Sequence, residues 1–156
     1  MTQERRKIEI ENSLFVEQIR NILQRGAEKS VTFTVRGYSM RPFIENLRDK
    51  AVLVPPRPPR IGDVVLAQIS DDTYALHRII AIDGDTITLQ GDGNSIRATE
   101  TTTRERIVGT VTAFIRKGRY TSTNSRRWRL YSALWSNTRH IRAFLLTLYK
   151  IKKQII

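Results

Sequence analysis

Apolar and polar residues change rhythm twice along the chain. From Leu14, Phe15 and Val16 through Ile19, Ile22 and Leu23 the apolar residues recur at intervals of three and four, which predicts an amphipathic helix over about 13–25. Asn12 or Ser13 can cap its start, and Gly26 is a natural stop. The period then falls to two. Residues 31–35 alternate valine and phenylalanine with threonine, and 51–54, 64–69, 73–82, 86–90 and 107–115 read as further short strands. Asp71-Asp72, Asp83-Gly84-Asp85 and Gly91-Asp92-Gly93-Asn94 are turn signals between them, and Pro55-Pro56-Arg57-Pro58-Pro59 is a stiff connector that no central strand tolerates. Residues 31–115 therefore predict a mainly β fold, a coiled antiparallel sheet or barrel. After Arg126 the helical spacing returns in Trp128, Tyr131, Leu134, Trp135, Ile141, Leu145 and Leu148, with a break expected near Ser136-Asn137. The expected organisation is a body over 1–118 and a helical tail over 119–156.

Charge sharpens that division. Residues 1–115 hold 16 Lys/Arg and 15 Asp/Glu, whereas 116–156 hold 11 Lys/Arg and no acid. A cationic amphipathic tail seeks phosphate, in lipid headgroups or in nucleic acid. The whole chain, at 156 residues, suits one hydrophobic core. It has no cysteine and two histidines, His77 and His140, so disulfides, thiolate chemistry and a histidine-rich metal site are not expected, nor is a cofactor. The charged start lacks the apolar stretch of a secretory signal, and no run approaches the roughly 20 apolar residues of a membrane span. The expected location is the cytoplasm, peripheral at the inner face of the membrane if the tail docks there.

Two residues carry candidate chemistry. Ser39 follows a strand and a glycine, Gly37, and precedes Pro42, so it sits where a strand is forced to stop. Serines in turns are common, and Ser39 alone reads as one. His77 lies within the strand Leu76-His77-Arg78-Ile79, where an ordinary half-exposed histidine beside a salt-bridging Arg78 is the simpler account. A serine hydroxyl needs a base, however, and imidazole is matched to that task near neutral pH.

The wider arrangement changes the balance. Gly37-Tyr38-Ser39-Met40-Arg41-Pro42 resembles the nucleophile segment of the signal peptidase superfamily. Asp49 with Val52-Leu53-Val54, then Gly62-Asp63-Val64-Val65, Leu76-His77-Arg78-Ile79 and Gln90-Gly91-Asp92-Gly93-Asn94 resemble its later segments, in the family's order. The resemblance covers about 31–115 and implies a coiled β-sheet peptidase domain. It implies that Ser39 attacks the scissile carbonyl and that His77 serves as general base, as in the endoplasmic-reticulum and archaeal branch. Bacterial signal peptidases and self-cleaving repressors carry a lysine there. Met40 is expected to pack beneath the nucleophile, and Gly62 and Asp63 to shape a turn. The family's third group, an acid a few residues beyond the Gly-Asp-x-Asn segment, falls here near Ala98, which is no acid. Asp92 is the first choice for that role and Glu100 the second, with a Ser-His dyad also open. The family's N-terminal membrane span is replaced by the helix around 13–25. The implied partner is a peptide or protein substrate, a precursor or leader with small residues before the scissile bond.

For the tail, docking on an anionic membrane competes with a helical hairpin packed on the body with its basic face in solvent. Nucleic-acid binding ranks below both, because no recognised DNA-binding module is visible. The rival to the enzyme reading is a non-catalytic, membrane- or partner-binding protein on a degenerate peptidase fold.

Overall fold

A computed structural model describes residues 2–138 and 141–155, without the side chains of 2–12. Arg139 and His140 lie outside the described residues. The first helix, α1 (Thr2–Leu23), starts well before the expected cap and runs through Asn12 and Ser13. The residues upstream of that cap are largely strong helix formers (glutamate, glutamine, arginine and lysine), which lets the helix begin ahead of the apolar period. Val16, Ile19 and Leu23, at helical spacing, are its buried face.

Eight strands follow: β1 (Val31–Thr34), β2 (Lys50–Val54), β3 (Val64–Ser70), β4 (Thr73–Asp83), β5 (Thr86–Gln90), β6 (Glu100–Thr103), β7 (Ile107–Arg116) and β8 (Arg119–Ser122). They form one antiparallel sheet in the order β1-β2-β7-β3-β4-β5-β6, with β8 paired to β7 off that path. Of the two architectures expected, the sheet is the open one and does not close into a barrel. It curls nonetheless, and the Thr102 hydroxyl on β6 donates to the Gln68 carbonyl on β3 at 2.7 Å, across two intervening strands. Strand β7 is the spine. Thr110 pairs with Val54 of β2 and with Val65 of β3, and beyond the stretch paired with β3 the ladder continues with β8. Residues 119–122 thus belong to the sheet, not to the tail. Neither β6, Glu-Thr-Thr-Thr, nor β8, Arg-Tyr-Thr-Ser, alternates apolar with polar residues, so periodicity could not reveal them.

Each face of the sheet has its own core. On one face Val64, Leu66, Leu53, Val111 and Phe114 meet Val16, Ile19 and Leu23 of α1, and Met40, Ile44 and Trp128 complete the cluster. Inside the curl, Val65, Ala67, Ile79, Ile87, Leu89 and Ile107 form the other. Gly62, at φ +98°, turns the chain into β3, where its N–H bonds the Ile79 carbonyl, so the Gly62-Asp63 pair is structural.

The tail folds as two helices, α2 (Arg126–Asn137) and α3 (Arg142–Ile155), and the break falls where the sequence places it. Ser125 caps α2 by accepting from the Trp128 N–H. Both helices dock on the body. Trp128 and Trp135 are buried, Phe43 stacks on Tyr131 with centroids 4.7 Å apart, and Trp128 lies 4.9 Å from Phe114. The two indoles are buried against the protein, as the packed-hairpin reading of the tail expects. Helix α3 is held by Glu45, whose carboxylate accepts from Tyr149 at 2.8 Å and pairs with Lys153 at 2.8 Å and with Arg41 at 2.7 Å.

Burial by itself pushes the Glu45 carboxyl up, but the bonds from Arg41, Lys153 and Tyr149 outweigh it and hold the group at about 2, below its ordinary 4.5. Its folded value is depressed, so the stability it contributes is present above pH 4.5 and is lost as the pH falls from 4.5 towards 2. Thermal unfolding of Glu45→Gln should therefore show a smaller loss of midpoint over that acid range than the natural protein. An identical acid profile for the two proteins would mean that Glu45 does not hold α3.

Candidate functional site

The site is built where β4, β5, β6 and the turn before Ile44 converge. Neighbouring residues of a strand point to opposite faces, so His77 and Arg78 of β4 part company. Val64 is opposite Arg78 and Val65 opposite His77, so Arg78 shares its face with the α1-side core and His77 shares its face with the core inside the curl.

On the first face Arg78 meets Asp92. Its Nε donates to Oδ1 and its Nη2 to Oδ2, both at 2.8 Å, in a two-pronged bond with each side chain 2% exposed. Arg78 Nη1 also donates to the Gly62 carbonyl and to Ser132 Oγ, while Tyr131 donates to Asp92 Oδ2 at 2.9 Å and the Trp135 indole N–H to the Asp92 carbonyl at 3.0 Å. Burial, reinforced by the Asp92 charge, pushes the Tyr131 hydroxyl well above its ordinary value, so it stays a donor. Asp92, the first-choice orienting acid, is thus engaged on the face opposite the imidazole.

On the second face His77 Nδ1 lies 2.8 Å from Glu100 Oε2. His77 is buried and Glu100 is 30% exposed. Glu100 sits on β6 opposite Leu89, which is opposite Ile79, so all these side chains share the face of His77. Arg78 pairs with Gln90, and continuing that register by one rung sets Gly91 opposite His77. No side chain rises there between β4 and β6. A carboxylate without its proton only accepts, so in this bond the proton belongs to Nδ1 of His77.

Ser39 approaches from the turn after β1. Gly37 takes φ +95°, and its N–H donates to Asn46 Oδ1 at 2.7 Å. The Gly93 N–H donates to the Ser39 carbonyl at 2.7 Å. A methyl group on Gly91 would lie 2.5 Å from the Ser39 carbonyl oxygen and 3.0 Å from Ser39 Cβ. The nucleophile candidate therefore rests against the glycine that faces His77, in space only a glycine leaves open. Among the described residues no hydrogen bond joins the Ser39 hydroxyl to His77. Met40 points the other way, into the core at 2% exposure. Sequence order alone could not choose Glu100 over Asp92. The alternation that separates His77 from Arg78 was a usable signal, but the partner strand β6 was not visible.

The two carboxylates can be told apart by stability. Asp92→Asn leaves the Arg78 charge buried without its partner and should cost roughly 3–5 kcal/mol in urea unfolding. Glu100→Gln at the partly exposed edge should cost less than about 1 kcal/mol. Equal costs would overturn this assignment of a structural acid and a site acid.

A family model described as Peptidase S24-like matches residues 2–112. That span takes in α1, the turn bearing Ser39, His77, Glu100 and most of β7. No curated protein matches the chain. The match covers well over half of the sequence and includes the whole of the convergent site, and on that ground the chain belongs to the Peptidase S24-like family, with its serine-peptidase-like fold.

Proposed function

We propose that this protein is a serine endopeptidase of the signal-peptidase-like kind, acting through Ser39, His77 and Glu100 on a peptide precursor or leader. The observation that carries the proposal is the His77–Glu100 bond on the same sheet face as the glycine rung against which Ser39 rests. With Nδ1 protonated towards Glu100, His77 Nε2 takes the Ser39 hydroxyl proton as the oxygen attacks the scissile carbonyl. The Ser39 backbone N–H is the assigned donor to the oxyanion. The imidazolium, stabilised by Glu100, then protonates the leaving amine, and a water molecule activated by the same base frees the acyl group from Ser39. Asp92 takes no part in proton transfer and serves by holding the turn on which Ser39 leans. Small residues before the scissile bond are the expected preference.

A second reading, a non-catalytic binding protein on a peptidase fold, draws on the lack of a hydrogen bond between the Ser39 hydroxyl and His77. Catalytic hydrogen bonds often form only when substrate arrives. A fluorophosphonate probe decides between the two readings. The full-length protein should be labelled at Ser39, as located by mass spectrometry, and His77→Ala should abolish labelling. Glu100→Gln should slow it by about 10²–10⁴-fold, the scale seen when an orienting carboxylate is neutralised, while Asp92→Asn, if it folds, should retain it. A folded natural protein that is not labelled would leave the binding reading standing. Slow labelling by Asp92→Asn with normal labelling by Glu100→Gln would return the orienting role to Asp92.

A further inference from the structure

Helix α3 is mounted inside out. On the side towards the body Arg142 and Leu146 are buried, Tyr149 is half-buried, and Lys153, though exposed, reaches Glu45, so this stripe is mostly polar or charged. Arg142 donates to Gln90 Oε1 at 2.7 Å, Tyr149 donates to Glu45 and Lys153 pairs with Glu45. The opposite stripe is apolar and in solvent: Phe144 is 64% exposed, Leu148 47%, Ile151 47% and Ile155 79%. The two stripes have the same helical spacing and are offset by two residues, which at 3.6 residues per turn is roughly 200° around the axis. Ile141, just before the helix, is exposed as well. A helix normally buries its apolar stripe, and here Glu45 and Gln90 hold it the other way round.

We propose that this outer stripe of α3 is a docking surface for an anionic lipid bilayer, with the helix lying in the plane of the headgroups. Charge selects that occupant. Residues 116–156 carry 11 Lys/Arg and no acid, and Lys150 and Lys152 on the same helix are both exposed. A second copy of the chain would bring the same charge to the contact and be repelled. A nucleic acid would meet a single ring, Phe144, among aliphatic side chains in place of a row of stacking rings, because Trp128 and Trp135 are buried. A bilayer bearing acidic headgroups satisfies both features at once: the apolar side chains enter the acyl boundary and the lysines and arginines stay among the phosphates. Among the described residues no helix is long and apolar enough to cross a membrane, and α3 at 14 residues matches a surface-lying element.

The test is flotation of the full-length protein with vesicles of phosphatidylcholine alone and of phosphatidylcholine with about one-third phosphatidylglycerol. Binding to the anionic vesicles should exceed binding to the neutral ones by about tenfold or more and should weaken with salt. Phe144→Ser with Ile151→Ser, both solvent-facing, should lower anionic binding by about tenfold while tryptophan fluorescence, reporting the buried indoles, stays unchanged. Lys150→Gln with Lys152→Gln should lower it further in low salt. Equal binding to both vesicle types, no binding to either, or anionic binding indifferent to the apolar substitutions would overturn the proposal. So would self-association in sedimentation without lipid that the same apolar substitutions abolish, which would assign the stripe to a second copy.

Discussion

The buried pair of Arg78 and Asp92 is the constraint on which the rest of the molecule hangs. Taking both charges out of water costs several kcal/mol per ion, and that cost is offset only where geometry and the remaining hydrogen bonds are close to complete. Here the guanidinium is met by Asp92 on two nitrogens and by Gly62 and Ser132 on a third, while Tyr131 and Trp135 attend to the aspartate. Those partners come from the turn before β3, from β4, from the turn after β5 and from α2. One ion pair therefore holds four separate pieces of chain in a single arrangement. It also dictates the chemistry on the other side of the sheet, since committing Arg78 to one face commits His77 to the opposite one.

That division explains what the sequence could and could not convey. The apolar runs and alternations of β3, β4, β5 and β7, the turn glycines and the proline-rich connector are readable because each is a local property of backbone and burial. Ser39 and His77 could be picked out as candidates only through their order among neighbouring segments. The acid was ambiguous for a physical reason: Asp92 had two adjacent cationic candidates on β4, and which of them it meets depends on the sheet face. Glu100 could reach His77 only if β6 existed, and a strand of threonines on an edge has no hydrophobic signature. Its threonines favour extended backbone without announcing a buried face.

Glycines decide how closely the two halves of the site approach. Gly91 and Gly93 lie under Ser39 and Tyr38, with ideal Cβ positions only 2.5 Å from the Ser39 and Tyr38 carbonyl oxygens respectively. The turn carrying the serine is thus seated on bare backbone, and its seat belongs to the same segment that supplies Asp92. The C-terminal helices add a second brace, because Glu45, which anchors α3, lies six residues after Ser39 and also receives Arg41. The region around Ser39 is therefore supported from below by the ion pair and from the side by the tail.

The place of β6 in the sheet has a kinetic consequence. It is the terminal strand, joined to β5 through four residue pairs and otherwise tied back to β3 by the Thr102 hydroxyl on the Gln68 carbonyl. Edge strands of this length open at far lower free energy than the strands at the middle of a sheet, and they do so without global unfolding. An excursion of β6 alone would carry Glu100 away from His77 while Arg78, Asp92 and both cores stay in place. The fraction of molecules with an oriented imidazole is then set by a local opening equilibrium, visible as fast amide exchange at residues 100–103, and it can fall with temperature well before the protein melts.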